Sequence, residues 1–192
     1  MIIALTGGIG SGKSVVATML TIMGYSVYDC DSRAKALMDS SDEIKRTIAQ
    51  DICAEAITPE GNIDRRRLSA EVFSDAEKLS RLNLIVHKEV RKDMMRWIAS
   101  QDKLKTCFVE TAILYQSGLD LVVDKVWEVT ADTETRICRV MKRNSMERQQ
   151  VVDRIKSQNS FKCERRHSDV STIINDGITP VLPRVEALLK DL

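Results

Sequence analysis

Residues 7–14, GGIGSGKS, place one lysine and two serines among four glycines shortly after the apolar opening MIIAL. The stretch matches G-x-x-x-x-G-K-[ST], the P-loop, whose glycines let consecutive backbone N–H groups surround phosphate oxygens. A helix beginning near Lys13 would add the positive end of its dipole. We expect Lys13 to reach the β- and γ-phosphates of a nucleoside triphosphate and Ser14 to coordinate Mg²⁺. The residues expected to hold the nucleotide are Gly8, Gly10, Ser11, Gly12, Lys13, Ser14 and Val15.

A glycine-rich turn that matches this pattern by accident is the competing interpretation, and the strand and helix predicted on either side disfavour it. Regulatory GTPases carry N-K-x-D and D-x-x-G, and neither pattern occurs in this sequence. A short chain with a helical insertion and an Arg-rich late segment favours a small-molecule kinase, by analogy at the level of the fold.

Two carboxylates in YDCD, Asp29 and Asp31, close a predicted strand at residues 26–31. Ligands of open α/β sheets bind beyond the carboxyl ends of the strands. One Asp there can accept or orient the proton of an attacking hydroxyl, and Asp29 can hold Mg²⁺ through water. The alternative, an Asp that caps the following helix, has equal weight on these residues alone.

Arg139 and Arg143 are four residues apart on a predicted helix and therefore share a face. Arginines on a closing flap can spread charge around a transferring phosphoryl group, so residues 143–166 are predicted to form a lid. The alternative is a solvated helical hairpin. We expect one or two arginines to function, with Arg139 and Arg143 ahead of four others, namely Arg148, Arg154, Arg165 and Arg166.

His87 lies beside an apolar helical stripe, and Arg91 follows one turn later on the same side. A lone histidine on a helix is more often structural or solvent-facing than a ligand contact. The residues by themselves therefore favour the structural interpretation of His87.

Apolar runs alternating with helical patterns predict an α/β fold with parallel βαβ units. The predicted strands are residues 1–5, 26–31, 106–110, 125–130 and 170–175. Residues 33–104 are predicted to be a helical insertion, with a possible capping box at Ser74 and Glu77. Thr179 is predicted to cap the last helix.

The composition fits one soluble domain of 192 residues, with 29 basic and 28 acidic side chains and a net charge of +1. This balance gives no reason to expect a nucleic-acid or membrane partner. Five cysteines without a C-x-x-C pair indicate free thiols in the cytoplasm. The sequence assigns no oligomeric state.

The chain resembles the dephospho-CoA kinase family in seven segments that follow in order: ALTGGIGSGKSVVA, VYDCD, GNIDRRRLSAEVF, LNLIVHKEV, RICRVMKRN, DRIKSQ and IINDG. The resemblance implies a three-layer P-loop kinase fold with a five-stranded parallel sheet, a helical substrate-binding insertion and a lid. It also implies transfer of the γ-phosphate of ATP to the ribose 3′-hydroxyl of dephospho-CoA with Mg²⁺.

By the same resemblance, Lys13, Asp31 and Arg143 form the catalytic set, and Asp31 orients the hydroxyl or acts as its base. Arg139 and Asn175 become further ATP contacts. The residues implied to bind dephospho-CoA are Asp31, Arg65, His87 and Arg91, which raises His87 above its structural interpretation.

Three departures from the family pattern stand out. Val15 replaces the usual Thr after the P-loop Lys-Ser, and His87-Lys88 replaces His-Pro. The family's D-x-P-L-L-F-E stretch is ETAILYQ, residues 110–116, so Glu110 retains a carboxylate whereas Gln116 is assigned no catalytic role. None alters the P-loop lysine or Asp31, and we expect an active enzyme.

Overall fold

The structure, a computed structural model that describes residues 1–102, 104–160 and 166–192, contains a parallel five-stranded sheet. Its strand order is β2-β3-β1-β4-β5. The strands are β1 (Ile2–Thr6), β2 (Ser26–Asp29), β3 (Cys107–Glu110), β4 (Lys125–Thr130) and β5 (Val170–Ile174). The predicted α/β class and parallel sheet are confirmed.

The described residues also form eight helices. They are α1 (Lys13–Ile22), α2 (Cys30–Ser40), α3 (Asp42–Asp51), α4 (Arg65–Ser74), α5 (Ala76–Ser100), α6 (Thr133–Asn144), α7 (Arg148–Ser160) and α8 (Val181–Lys190). None of the helices in this part of the chain is both long enough and apolar enough to cross a membrane.

The central strand β1 is fully buried from Ile3 to Leu5, as expected for a strand of a parallel sheet covered on both faces. Leu5 lies opposite Glu110 of β3 and opposite Trp127 of β4. Because parallel strands end at one edge of the sheet, the segments that follow β1, β3 and β5 lie along that edge. The P-loop, Glu110 and Asn175 all belong to these segments.

Two compact units divide the chain, one made of residues 1–28 and 101–192 and the other of Asp29–Ser100. In the first unit α1 and α8 pack on the sheet through a common core, whose members include Val16, Leu20, Phe108, Trp127 and Leu188. The second unit has its own core around Ile44, Ile48, Leu68 and Val72. It overlaps the predicted insertion 33–104, of which Lys103 lies outside the described residues.

Three local predictions were wrong. The strand predicted at 26–31 ends at Asp29, because the Asp29 carboxylate accepts hydrogen bonds from the backbone N–H groups of Asp31 and Ser32 and starts α2 there. Ser74 is the last residue of α4, and Asp75 instead receives the first N–H groups of α5.

The third wrong prediction concerns Thr179, which does not cap α8. Its hydroxyl donates to Asp176, whose carboxylate also accepts from the Thr179 backbone N–H at 2.7 Å. The helix begins one residue after Pro180, without a side-chain cap.

Candidate active site

The P-loop joins β1 to α1, and three of its glycines have backbone conformations that other residues rarely adopt. Gly12, which caps α1, has φ +98°, Gly10 has φ +80° and Gly7 has φ +147°. A Cβ at Gly10 would lie 2.6 Å from the Arg136 carbonyl oxygen on α6, so only glycine allows this approach. The Lys13 ammonium donates to the Gly7 carbonyl at 2.8 Å, within the loop.

Ser14 and Glu110 meet beside the P-loop. The Ser14 hydroxyl donates to the Glu110 carboxylate at 3.0 Å, and Glu110 is buried at the end of β3. The departure from aspartate at this position therefore keeps a carboxylate in contact with the predicted magnesium ligand. Hydroxyl and carboxylate oxygens are ligands that Mg²⁺ prefers.

Asn175 and Arg139 contact the P-loop at Ser11. The Asn175 side-chain amide donates to the Ser11 carbonyl at 2.8 Å, and the Arg139 guanidinium donates to the Asn175 carbonyl at 2.8 Å. The Asn175 backbone N–H donates to the Thr130 carbonyl, which fixes the residue to the end of β4. Two residues predicted as ATP contacts are thus brought to the P-loop, as a linked pair.

Three of the other arginines predicted for the lid contact residues outside the P-loop. Arg143 is exposed and donates to the adjacent Asn144 side chain at 3.0 Å. Arg148 pairs with Glu134 at 2.6 Å, and Arg166 pairs with Glu128 at 3.3 Å. Arg165 and the lid residues 161–165, with Cys163, lie outside the described residues.

Two P-loop contacts were missed by the sequence interpretation. The Arg136 guanidinium donates to the Ile9 carbonyl at 2.8 Å, and burial lowers its pKa. The Gln158 amide oxygen of α7 accepts the Ile9 backbone N–H at 2.8 Å. Arg136 precedes Arg139 by one helical turn, and this spacing was the signal that could have found it.

The residues predicted to bind the acceptor, Asp31, Arg65, His87 and Arg91, all belong to the second unit. Their contacts among the described residues do not by themselves assign a role. Asp31 is exposed in the first turn of α2, and Asp29 caps that helix. The Asp29 oxygens receive two backbone N–H groups and the Ser32 hydroxyl, so the capping interpretation is correct, whereas a water-mediated Mg²⁺ contact stays a prediction.

Arg65 begins α4 and pairs with Asp39 at 2.6 Å. His87 and Arg91 lie one turn apart on α5, where burial lowers the pKa of the His87 imidazole. Arg91 lines an open groove of about 900 Å³ in the second unit, together with Glu43, Lys88, Glu89, Lys92, Met95 and Arg96.

The family model for dephospho-CoA kinase matches residues 1–180. A dephospho-CoA kinase of Bacteroides fragilis is 34% identical over 99% of this chain and 92% of its own length. That of Bacillus licheniformis is 37% identical over 92% of this chain and 89% of its own length.

A solved structure of a dephospho-CoA kinase from Campylobacter jejuni superposes with a TM-score of 0.67 at 22% identity, covering 99% of this chain and 94% of the other, which shows a shared fold. The family match covers residues 1–180 and so includes the P-loop. The Lys13–Gly7 and Ser14–Glu110 contacts lie within this matched region. The chain belongs to the dephospho-CoA kinase family, the phosphotransferases that use ATP to complete coenzyme A biosynthesis.

Proposed function

We propose that residues of the first unit hold ATP and residues of the second bind dephospho-CoA, whose ribose 3′-hydroxyl receives the γ-phosphoryl group. The observation that carries this proposal is the arrangement of the P-loop, where Lys13, Ser14 with Glu110, and Arg139 with Asn175 converge on one loop. A triphosphate needs this combination of backbone N–H groups and fixed positive charge.

Lys13 and Arg139 supply the cationic side chains of the ATP site. The Lys13 ammonium, now donating to Gly7, would exchange that carbonyl for β- and γ-phosphate oxygens. Arg139 and Asn175 together fix the position of Ser11 and so the loop between Gly10 and Gly12. Val15, the last residue assigned to ATP, is exposed in the first turn of α1.

Ser14 and Glu110 fit a Mg²⁺ ion by the chemistry of their oxygens and by their mutual contact. When bound with ATP, the ion would neutralise charge on the phosphates. We assign Ser14 as its ligand and Glu110 as the carboxylate that orients the Ser14 hydroxyl. Glu110 would have this orienting role at the position where the family usually has an aspartate.

Asp31 is proposed to accept the proton of the 3′-hydroxyl as its oxygen forms a bond to the γ-phosphorus and the bond to the β–γ bridging oxygen of ATP breaks. The products are coenzyme A and ADP. A loose transition state requires little proton transfer early, so orientation of the hydroxyl is the larger part of this role. Asp31 is exposed on α2, so its carboxylate is accessible to the hydroxyl group of dephospho-CoA.

Arg65, His87 and Arg91 are proposed to bind dephospho-CoA. The groove beside Arg91 carries three further cationic side chains, Lys88, Lys92 and Arg96, against two carboxylates, Glu43 and Glu89, and this excess of positive charge suits a ligand with a diphosphate. Arg65 would exchange its partner Asp39 for the ligand. We also infer a cytoplasmic location, in line with the free thiols of Cys30, Cys53, Cys107 and Cys138.

Steady-state kinetics of two variants test the roles, with ATP and dephospho-CoA varied separately. Asp31→Asn keeps the shape of the side chain and removes its charge, so kcat should fall by about two to four powers of ten, less if proton transfer is late. His87→Ala should mainly raise KM for dephospho-CoA.

Asp42→Asn is the matched control, because Asp42 is an exposed aspartate in the first turn of α3, as Asp31 is in α2. It should leave kcat unchanged. A loss confined to KM in Asp31→Asn, or to kcat in His87→Ala, would reverse the two assignments. Turnover of adenosine or AMP in preference to dephospho-CoA would show that dephospho-CoA is not the preferred phosphoryl acceptor.

A further inference from the structure

Ile9, in the middle of the P-loop, is held from three sides by α6 and α7. Its side chain packs against a buried cluster formed by Ile137, Val140, Val151 and Ile155 of these two helices. Its carbonyl accepts from the Arg136 guanidinium at 2.8 Å, and its N–H donates to the Gln158 amide oxygen at 2.8 Å. Ile9 is therefore the P-loop residue that contacts both helices of this pair, through its side chain and both of its backbone polar groups.

Gln158 uses both ends of its amide. While its oxygen accepts the Ile9 N–H, its nitrogen donates to the Ala112 carbonyl at 3.0 Å. Ala112 lies two residues after Glu110, in the segment that leaves β3. One amide group thus joins α7 to the P-loop and to the segment that carries the proposed magnesium-side carboxylate.

We propose that Gln158 is a positioning residue that couples α7, in the predicted lid, to the conformation of the P-loop at Ile9. Only a side chain with an acceptor and a donor at this length can make both contacts. Its effect on ATP rests on the proposed function of the P-loop, whereas the contact itself does not. Loosening Ile9 would leave Gly8 and Gly10 less well placed around the phosphates.

Amide exchange at Ile9 tests the contact directly in ¹⁵N-labelled, ATP-free protein at neutral pH. Gln158→Met keeps the length and removes both hydrogen bonds, so Ile9 exchange should accelerate about tenfold, as expected for one lost hydrogen bond. Gln149→Met is the matched control, since Gln149 lies on the same helix and donates only to Asp153 at 2.9 Å among the contacts described. It should leave Ile9 exchange unchanged.

Gln158→Glu separates positioning from general packing. Its carboxylate can still accept the Ile9 N–H but cannot donate to Ala112, so Ile9 should stay protected in this variant and not in Gln158→Met. KM for ATP should rise about tenfold in Gln158→Met, with KM for dephospho-CoA unchanged.

Unchanged Ile9 exchange in Gln158→Met, or equal acceleration in Gln149→Met or Gln158→Glu, would overturn the proposal. Failure of the proposed ATP site would look different, because the wild-type protein would then show no ATP binding while Ile9 exchange still responded to Gln158→Met.

Discussion

His87 on α5 is half-buried, and this makes the free energy of unfolding depend on pH. Burial lowers the pKa of the imidazole below its ordinary value of 6.5, so the unfolded chain takes up the proton more readily than the folded one. The folded state therefore loses stability as the pH falls through 6.5, and the loss levels off below the folded pKa.

His87→Gln should remove this part of the acid sensitivity, because glutamine does not titrate. We expect the free energy of unfolding, measured with urea at pH 7.5 and at pH 5.5, to fall less in the variant than in the wild type. An equal fall in both proteins would place the acid-sensitive groups elsewhere.

Some residues of the candidate site could be predicted from the sequence, and others could not. Lys13 and Ser14 were predictable because the P-loop is contiguous, and its chemistry is encoded in local spacing. Arg136 left only its spacing of one helical turn from Arg139 as a signal, and Gln158 left none, because they contact Ile9 from 127 and 149 positions away along the chain. Only the packing of α6 and α7 brings them to the loop.

At the level of elements, α7 has a buried apolar side although most of its sequence is polar. Val151 and Ile155, one turn apart, are buried against Ile137 and Val140 of α6. Four apolar positions are enough to join the two helices, and a short i, i+4 pair among charged residues is a weak signal in a sequence. That α6–α7 forms a lid over ATP stays a prediction.

Closure of this lid should appear as a change in hydrogen exchange. Binding of a non-hydrolysable ATP analogue is expected to slow exchange of the α7 amides, since Arg139 and Gln158 tie the helical pair to the loop that would hold the phosphates. Helix α4 of the second unit is the internal control. Equal exchange of α7 with and without the analogue would contradict the lid.

For the whole molecule, the two compact units each carry one of the two tryptophans. Trp127 is buried in the sheet of the first unit, within 5.1 Å of the Phe108 ring, and Trp97 lies on α5 of the second. The general α/β class was predictable from alternating strand and helix patterns. The predicted insertion, residues 33–104, overlaps the second unit, Asp29–Ser100, although the sequence did not show that the Asp29 cap ends β2 there.

Single-tryptophan variants can therefore report the units separately. Trp97→Phe leaves Trp127, and Trp127→Phe leaves Trp97. A saturating ligand at about 100 times its Kd stabilises the state that it binds by about 2.7 kcal/mol. Under urea, ATP should shift the Trp127 transition more than the Trp97 transition, and dephospho-CoA should do the reverse. Identical shifts at both probes would mean that the units unfold as one.

The close approach of Arg136 to the P-loop makes two neighbouring glycines unequal in the sequence variation they can accept. A Cβ at Gly10 would collide with backbone atoms of Arg136, the carbonyl oxygen at 2.6 Å and Cα at 3.0 Å, whereas a Cβ at Gly8 would meet only the guanidinium end of that side chain, with Nη2 at 2.2 Å. A saturation library scored for turnover should thus lose every substitution at Gly10. Gly8→Ala should lower turnover, because its methyl group collides with the Arg136 guanidinium, and adding Arg136→Ala should restore part of that turnover. Positions 8 and 136 should therefore show epistasis and covary among related sequences.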